Sequence, residues 1–161
     1  MSAILSPDRK YRYRLIRDLG MMGNGVCCFV MLNPSTADEF ADDPTIRRCL
    51  GYARSLGCAR LDVVNLFAHR CTDPGTLYGM SRDAAVGPEN DLHITEAACK
   101  ARIVICAWGN HGVLFGRDRE VVRLLRFHGV VPMALKINKK SKQPAHPLYL
   151  KANAEPLEFQ P

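Results

Sequence analysis

The stretch "VCCFVMLNPSTADEFADDPTIRR", residues 26–48, decides how this chain folds. Residues 26–32 are an unbroken apolar run, the mark of a strand buried on both faces, as in a parallel sheet. The run stops at Asn33-Pro34, and a polar, acidic segment follows. Asp43 and Pro44 then suit the cap and first turn of a helix. Ile46, Cys49, Leu50, Ala53 and Leu56 recur at spacings of three and four, and Gly57 suits the helix end. A buried strand, a long loop at its carboxyl end and a helix make the first half of a βαβ unit.

The same alternation continues outward. Residues 61–67 (LDVVNLF) form the next buried strand, followed by a long loop over 68–87. Pro88 opens a second helix with Ile94, Ala97, Ala98 and Ala101 on one face. Residues 102–108 (RIVICAW) are a third core strand, closed by Gly109-Asn110-His111-Gly112. A helix over 117–128 presents Val121, Leu124, Leu125 and His128 and stops at Gly129. A strand over 130–137, a basic Pro-containing loop (NKKSKQPAHP), a short extended LYL and a weakly ordered tail complete the chain. Upstream, YRYRLIR alternates as a half-exposed strand does, and GMMGNG is turn material, so an N-terminal β-hairpin is expected to feed the buried strand. The pattern predicts one α/β domain over residues 1–161, with its core at about 11–151. Its architecture is a three-layer α/β/α sandwich with a short, mostly parallel sheet.

Composition narrows the function classes. The chain has 161 residues, a formal charge of +6 and a pI near 9.1, a balance that favours an anionic partner. No apolar run approaches the roughly 18–20 residues that cross a bilayer, so no membrane partner is expected. The segment MSAILSPDRKYRYR does not read as a signal peptide. Seven cysteines at irregular positions, with no CxxC pair, argue against a disulfide framework and against metal binding through paired thiolates. No cofactor is expected, and a reducing cytoplasm is the expected compartment.

In an open parallel sheet, ligands bind beyond the carboxyl ends of the strands. The unusual polar residues fall there: Asn33 after one strand, Asn65 and His69 at the next, Trp108, Asn110 and His111 at the third, and His146 after the fourth. Each has a plainer reading. Asn33 before Pro34 can make an Asx-type turn, and Trp108 can be wall or core. His93 and His128 suit structural or solvated positions. Asn65 inside an apolar strand is harder to dismiss, because an unsatisfied buried amide costs roughly 1–3 kcal/mol. Asp38, Asp42 and Asp43 are a weak metal signal. Walker A, GxGxxG, GxSxG and HExxH patterns are absent from the sequence.

The segments RYRLIRDLG, VMLNPSTADEFADDPTIRRC, VVNLFAHR, VGPENDLHI, AWGNHG and HPLYL, in this order, resemble the bacterial family catalogued as domain of unknown function 1643. More distantly, the order of motifs resembles the uracil-DNA glycosylase superfamily, whose fold is a compact α/β/α domain. MLNPST is similar to that superfamily's Gly-Ile-Asn-Pro-Gly motif, which implies that Asn33 holds the attacking water. VVNLF is similar to the strand whose Asn reads an extruded pyrimidine, implicating Asn65. HPLYL is similar to the start of the His-Pro-Ser-Pro-Leu-Ser loop. That implicates His146 at the departing base, with Leu148 in the wedge position and Leu148-Tyr149-Leu150 where that loop has serines.

This resemblance implies a monofunctional glycosylase-like enzyme acting on a damaged or modified nucleobase in DNA (rather than RNA) or in a nucleoside. Asn33 and His146 would be catalytic, and Ser35, Asn65, Phe67, Trp108, Asn110, His111 and Tyr149 would line the ligand site. Arg47, Arg48, Arg70, Lys139, Lys140 and Lys142 would meet phosphates. An amide has no useful basicity, so Asn33 can orient a water but not deprotonate it. Two other classes stay open: a non-catalytic nucleotide or nucleic-acid binding module using the same crevice, and a metal-dependent hydrolase using His69, His111 and His146 with the Asp cluster.

Overall fold

The computed structural model describes residues 1–161 except Met21, Thr36 and Glu39. Met21 of the expected turn and Thr36 of the MLNPST motif therefore lie outside the described residues. Seven strands form one sheet: β1 (Ser2–Leu5), β2 (Arg12–Asp18), β3 (Val26–Met31), β4 (Arg60–Asn65), β5 (Ile103–Cys106), β6 (Pro132–Ala134) and β7 (Leu157–Glu158). Their order across the sheet is β1-β2-β4-β3-β5-β6-β7. The α-helices are α1 (Pro44–Ser55), α2 (Arg82–Val86), α3 (Asn90–Cys99) and α4 (Arg117–Phe127).

The fold is α/β, with the apolar run of residues 26–32 at its centre. Cys27, Phe29 and Met31 pack with Ile46, Cys49, Leu50 and Ala53 of α1 on one face. Cys28, Val30 and Leu32 pack with α3 and α4 residues on the other, including Ile94, Ala97, Val121 and Leu125. The helix start at Asp43 is as the residues imply, since its carboxylate accepts from the Ile46 amide at 2.8 Å. Among the described residues, no helix is long and apolar enough to cross a membrane.

The sheet is mixed rather than mostly parallel. The pairs β3–β4, β3–β5 and β5–β6 are parallel, and β1–β2, β2–β4 and β6–β7 are antiparallel. The expected hairpin of β2 with β3 is also corrected, because β4 lies between them. The hairpin that forms is β1–β2. The connection from β2 to β3 instead wraps the turn before β4, where Leu19 N–H donates to the Ala59 carbonyl and Asn24 N–H to that of Gly57. Gly23 is needed there for close approach: a Cβ would lie 2.4 Å from the Cys58 backbone.

Nor is β2 half-exposed. Arg12, Arg14 and Arg17 are all buried. Arg14 and Arg60 both donate to Asp62, which is wholly buried on β4. Arg17 pairs with Asp42 at 2.7 Å and donates to the Asp38 carbonyl, while Arg12 donates to the Ala37 carbonyl. Ala37, Asp38 and Asp42 of the acidic loop are thus held by strand arginines. Asp38 Oδ1 also closes a turn on the amides of Phe40 and Ala41.

Three further expectations change. The 68–87 loop contains a 3-10 turn, Pro74–Gly79, and α2, capped by Asp73 and Ser81 respectively. The strand over 130–137 shortens to β6, and LYL becomes part of a 3-10 turn, Pro147–Tyr149. The tail is part of the fold: β7 pairs with β6, and fully buried Phe159 packs edge-on against Trp108 with ring centroids 5.6 Å apart.

Candidate functional site

The carboxyl ends of β3, β4 and β5, with the segments that follow them and β6, border a cavity of about 660 Å³. That volume lies within the usual range for small-molecule sites. The structure brings Asn33, Ser35, Asn65, Trp108, Asn110, His111, His146 and Tyr149 together along it.

Asn65 is the last residue of β4 and is 1% exposed. Neither its Oδ1 nor its Nδ2 has a partner among the described residues. The strand end that carries it is fixed: Asn90 donates to the carbonyls of Asn65 and Leu66 at 2.9 and 3.0 Å, and Arg117 donates to that of Leu66 at 2.9 Å. Arg117 is in turn paired with Asp91 and Glu120. A donor and an acceptor are therefore held in one plane on a rigid support.

Asn33 is partly committed. Its Nδ2 donates to the Cys71 carbonyl at 2.7 Å and to that of Pro34 at 3.1 Å, so both contacts orient the amide the same way. Its Oδ1 has no donor among the described residues and faces no competing bond. His146 accepts from the Leu148 amide through Nδ1, at 3.3 Å. Burial lowers its pKa below the ordinary value, with Asp43 acting in the opposite direction. A neutral ring that accepts at Nδ1 carries its proton at Nε2, so His146 is a neutral donor.

Trp108 is wall rather than stacking surface. It is 1% exposed, donates from Nε1 to Gln143 at 2.8 Å, and is packed so closely that a Cβ on Gly112 would lie 2.1 Å from its ring. Asn110 Oδ1 accepts from Asn138 and Ser141 and so ties the basic loop to the end of β5. His111 Nδ1 meets the Tyr78 hydroxyl at 2.9 Å. Tyr149 is 87% exposed at the rim.

Other expected residues lie elsewhere. Phe67 is not in the lining; it is fully buried core, edge-on to Phe115, because β4 ends at Asn65 and the chain turns before residue 67. Arg48 donates to the Leu150 carbonyl and lies over Tyr52, holding the 147–150 turn rather than facing solvent. Arg47 is exposed and donates to the Asp42 carbonyl, and Arg70 donates to that of Arg9. Lys139, Lys140 and Lys142 are exposed on the loop beside the cavity, outside its lining. Among the described residues, no three His, Cys, Asp or Glu side chains gather as a metal site.

Arg12, Thr45, Thr72 and Asn138 also line the cavity without a sign of it in the sequence, as do Lys136 and the helix cap Asp43. Asp43 is the one carboxylate in that lining among the described residues. Arg12 is the more unexpected, being 2% exposed, with burial pulling its guanidinium down to about 10 against the attraction of Asp43.

The sequence model of the family described as "Protein of unknown function (DUF1643)" matches residues 12–148. The chain belongs to this family. No curated protein and no solved structure matches it. The matched span begins at Arg12 and ends at Leu148, so it includes each residue described above as lining the cavity except Tyr149.

Proposed function

We propose that this cavity takes a nucleobase and that the protein is a glycosylase-like enzyme, cleaving the N-glycosidic bond of a modified or damaged base. The observation that carries the reading is Asn65, a buried amide with both polar atoms unpaired at the end of a braced strand. A coplanar donor and acceptor match the hydrogen-bonding edge of a base, and a ligand that supplies both partners relieves their desolvation.

The rest of the lining suits the chemistry. Cleaving the bond builds positive charge on the sugar and negative charge on the base. His146, neutral with its proton at Nε2, donates to the departing base. Asn33 Oδ1 orients a water, and Asp43 is the cavity carboxylate able to accept that water's proton. The motif likeness to the uracil-DNA glycosylase superfamily supports the assignment, as do helices on both faces of the sheet, the arrangement that a three-layer α/β/α fold requires. Exposed Lys139, Lys140 and Lys142 suit phosphate contacts if the base is carried on DNA. Seven free cysteines suit a reducing compartment such as the cytoplasm.

One observation favours a second reading, a non-catalytic binding module: the Asp43 carboxylate is already engaged in capping α1. The test is incubation with duplex and single-stranded oligonucleotides, and with nucleosides, carrying uracil, mismatched or modified bases. Alkaline cleavage and chromatography then report abasic sites and free base. Base release abolished by His146→Ala and reduced by Asn33→Ala supports the enzyme. Saturable binding weakened by Asn65→Ala, without release across the panel, establishes the binding module instead.

A further inference from the structure

The buried arginine at the cavity has no ion-pair partner among the described residues. Arg12 Nη1 donates to the Ala37 carbonyl, while Nε has no acceptor and Nη2 makes no bond to a described residue. Arg14 and Arg60 each turn the Nε–Nη2 edge of the guanidinium onto Asp62. In Arg12 that edge is buried and unpaired among the described residues, although it is the fork that fits two oxygens of a carboxylate or phosphate. Asp43 and Asp38 attract the charge from a distance, but neither forms an ion pair with it among the described residues. Among the described residues of the lining, Arg12 and Lys136 face one carboxylate, Asp43, and burial favours the neutral form of His146, so these residues carry a net positive charge.

We infer that Arg12 is the anion-binding residue of this cavity and takes the phosphomonoester of a mononucleotide whose base is read by Asn65. This rests on the nucleobase reading above and narrows it. Arg12 is almost wholly buried, so its anion must arrive on the ligand that enters the cavity. A backbone phosphate linked on both sides would have to carry its strand with it, whereas a terminal phosphate is free to enter. The same cavity then offers a fork for the phosphate and an amide for the base, which a free nucleoside would only half use.

The test is calorimetric titration of wild type, Arg12→Gln and Arg12→Lys. Probes are inorganic phosphate, succinate, the four deoxynucleoside 5′-monophosphates and the matching nucleosides. At least one monophosphate is expected to bind ten-fold or more tighter than its nucleoside. Arg12→Gln should erase that preference, and Arg12→Lys should keep part of it, since a point charge replaces the fork. Asn65→Ala should weaken a monophosphate and its nucleoside alike. Equal binding of monophosphate and nucleoside by wild type overturns the inference, as does a preference that survives in Arg12→Gln, or succinate binding where phosphate does not. If Arg12→Gln fails to fold, an undiminished preference in Arg12→Lys overturns it. Monophosphate binding without base release would leave this inference standing and remove the enzyme. Base release from DNA without monophosphate binding would do the reverse.

Discussion

Replacing Asn65 by Leu tests whether the amide serves the fold or a ligand. The two side chains have the same branching, so the substitution exchanges two polar atoms for two methyls in a wall already 1% exposed. Both polar atoms lack partners among the described residues, and each unsatisfied group costs about 1–3 kcal/mol. Taking the lower figure for each, Asn65→Leu should stabilise the free protein by about 2 kcal/mol. The backbone carbonyl that accepts from Asn90 is untouched. In a chain of this size, about 2 kcal/mol corresponds to a rise in Tm of roughly 4–8 °C. Urea denaturation should show a higher midpoint at unchanged slope, while binding or turnover of any base-bearing ligand falls at least ten-fold. A gain in stability with a loss of function is the signature of a residue kept for its site. Destabilisation beyond about 1 kcal/mol would show the amide to be satisfied in the free protein. Unchanged ligand binding would remove Asn65 from the site.

Asp62→Asn should cost about 3–5 kcal/mol in urea denaturation, because it leaves buried Arg14 without its countercharge. Burial lowers the pKa of both His93 and His146, so the folded state binds fewer protons than the unfolded chain below the ordinary value near 6.5. Stability should therefore fall as pH drops from about 6.5 toward the lowered folded values, and His146→Gln should flatten that part of a Tm–pH profile. Gly112→Ala drives a methyl into the Trp108 indole and should cost at least the 1–3 kcal/mol usual for overpacking, read as a lower Tm. Cys99 is the exposed cysteine, so a native-state thiol titration should label it rapidly and the buried thiols only on unfolding.

What the sequence shows well is where apolar runs end. Asn33 closes one such run and Asn110 lies just past another, while Asn65 stands within the run of residues 61–67 and His146 in the loop after the last; parallel strands place these positions side by side. Arg12 is hidden because YRYRLIR alternates as a half-exposed strand would. Its burial comes from β1 and β4 on either side of β2 and from a loop some 25 residues away. Phe67 misleads for a related reason: two residues beyond Asn65 share its face only while the strand continues, and β4 has already ended. Asp42 carries no local sign of its partner, since Arg17 reaches it from β2, 25 residues earlier in the chain. At the C-terminus, LEF is too short to show a period, and Phe159 is placed by Trp108 rather than by any pattern of its own.

The place of β3 has a consequence during synthesis. It leaves the ribosome before both of its neighbours yet lies between them, so VCCFVM has two open edges until β4 at residue 60 and β5 at residue 103 follow. A six-residue segment without charge, proline or glycine is the kind that zips onto copies of itself on nascent or truncated chains. The strands that close it are each led in by a cation, Arg60 at the start of β4 and Arg102 just before β5.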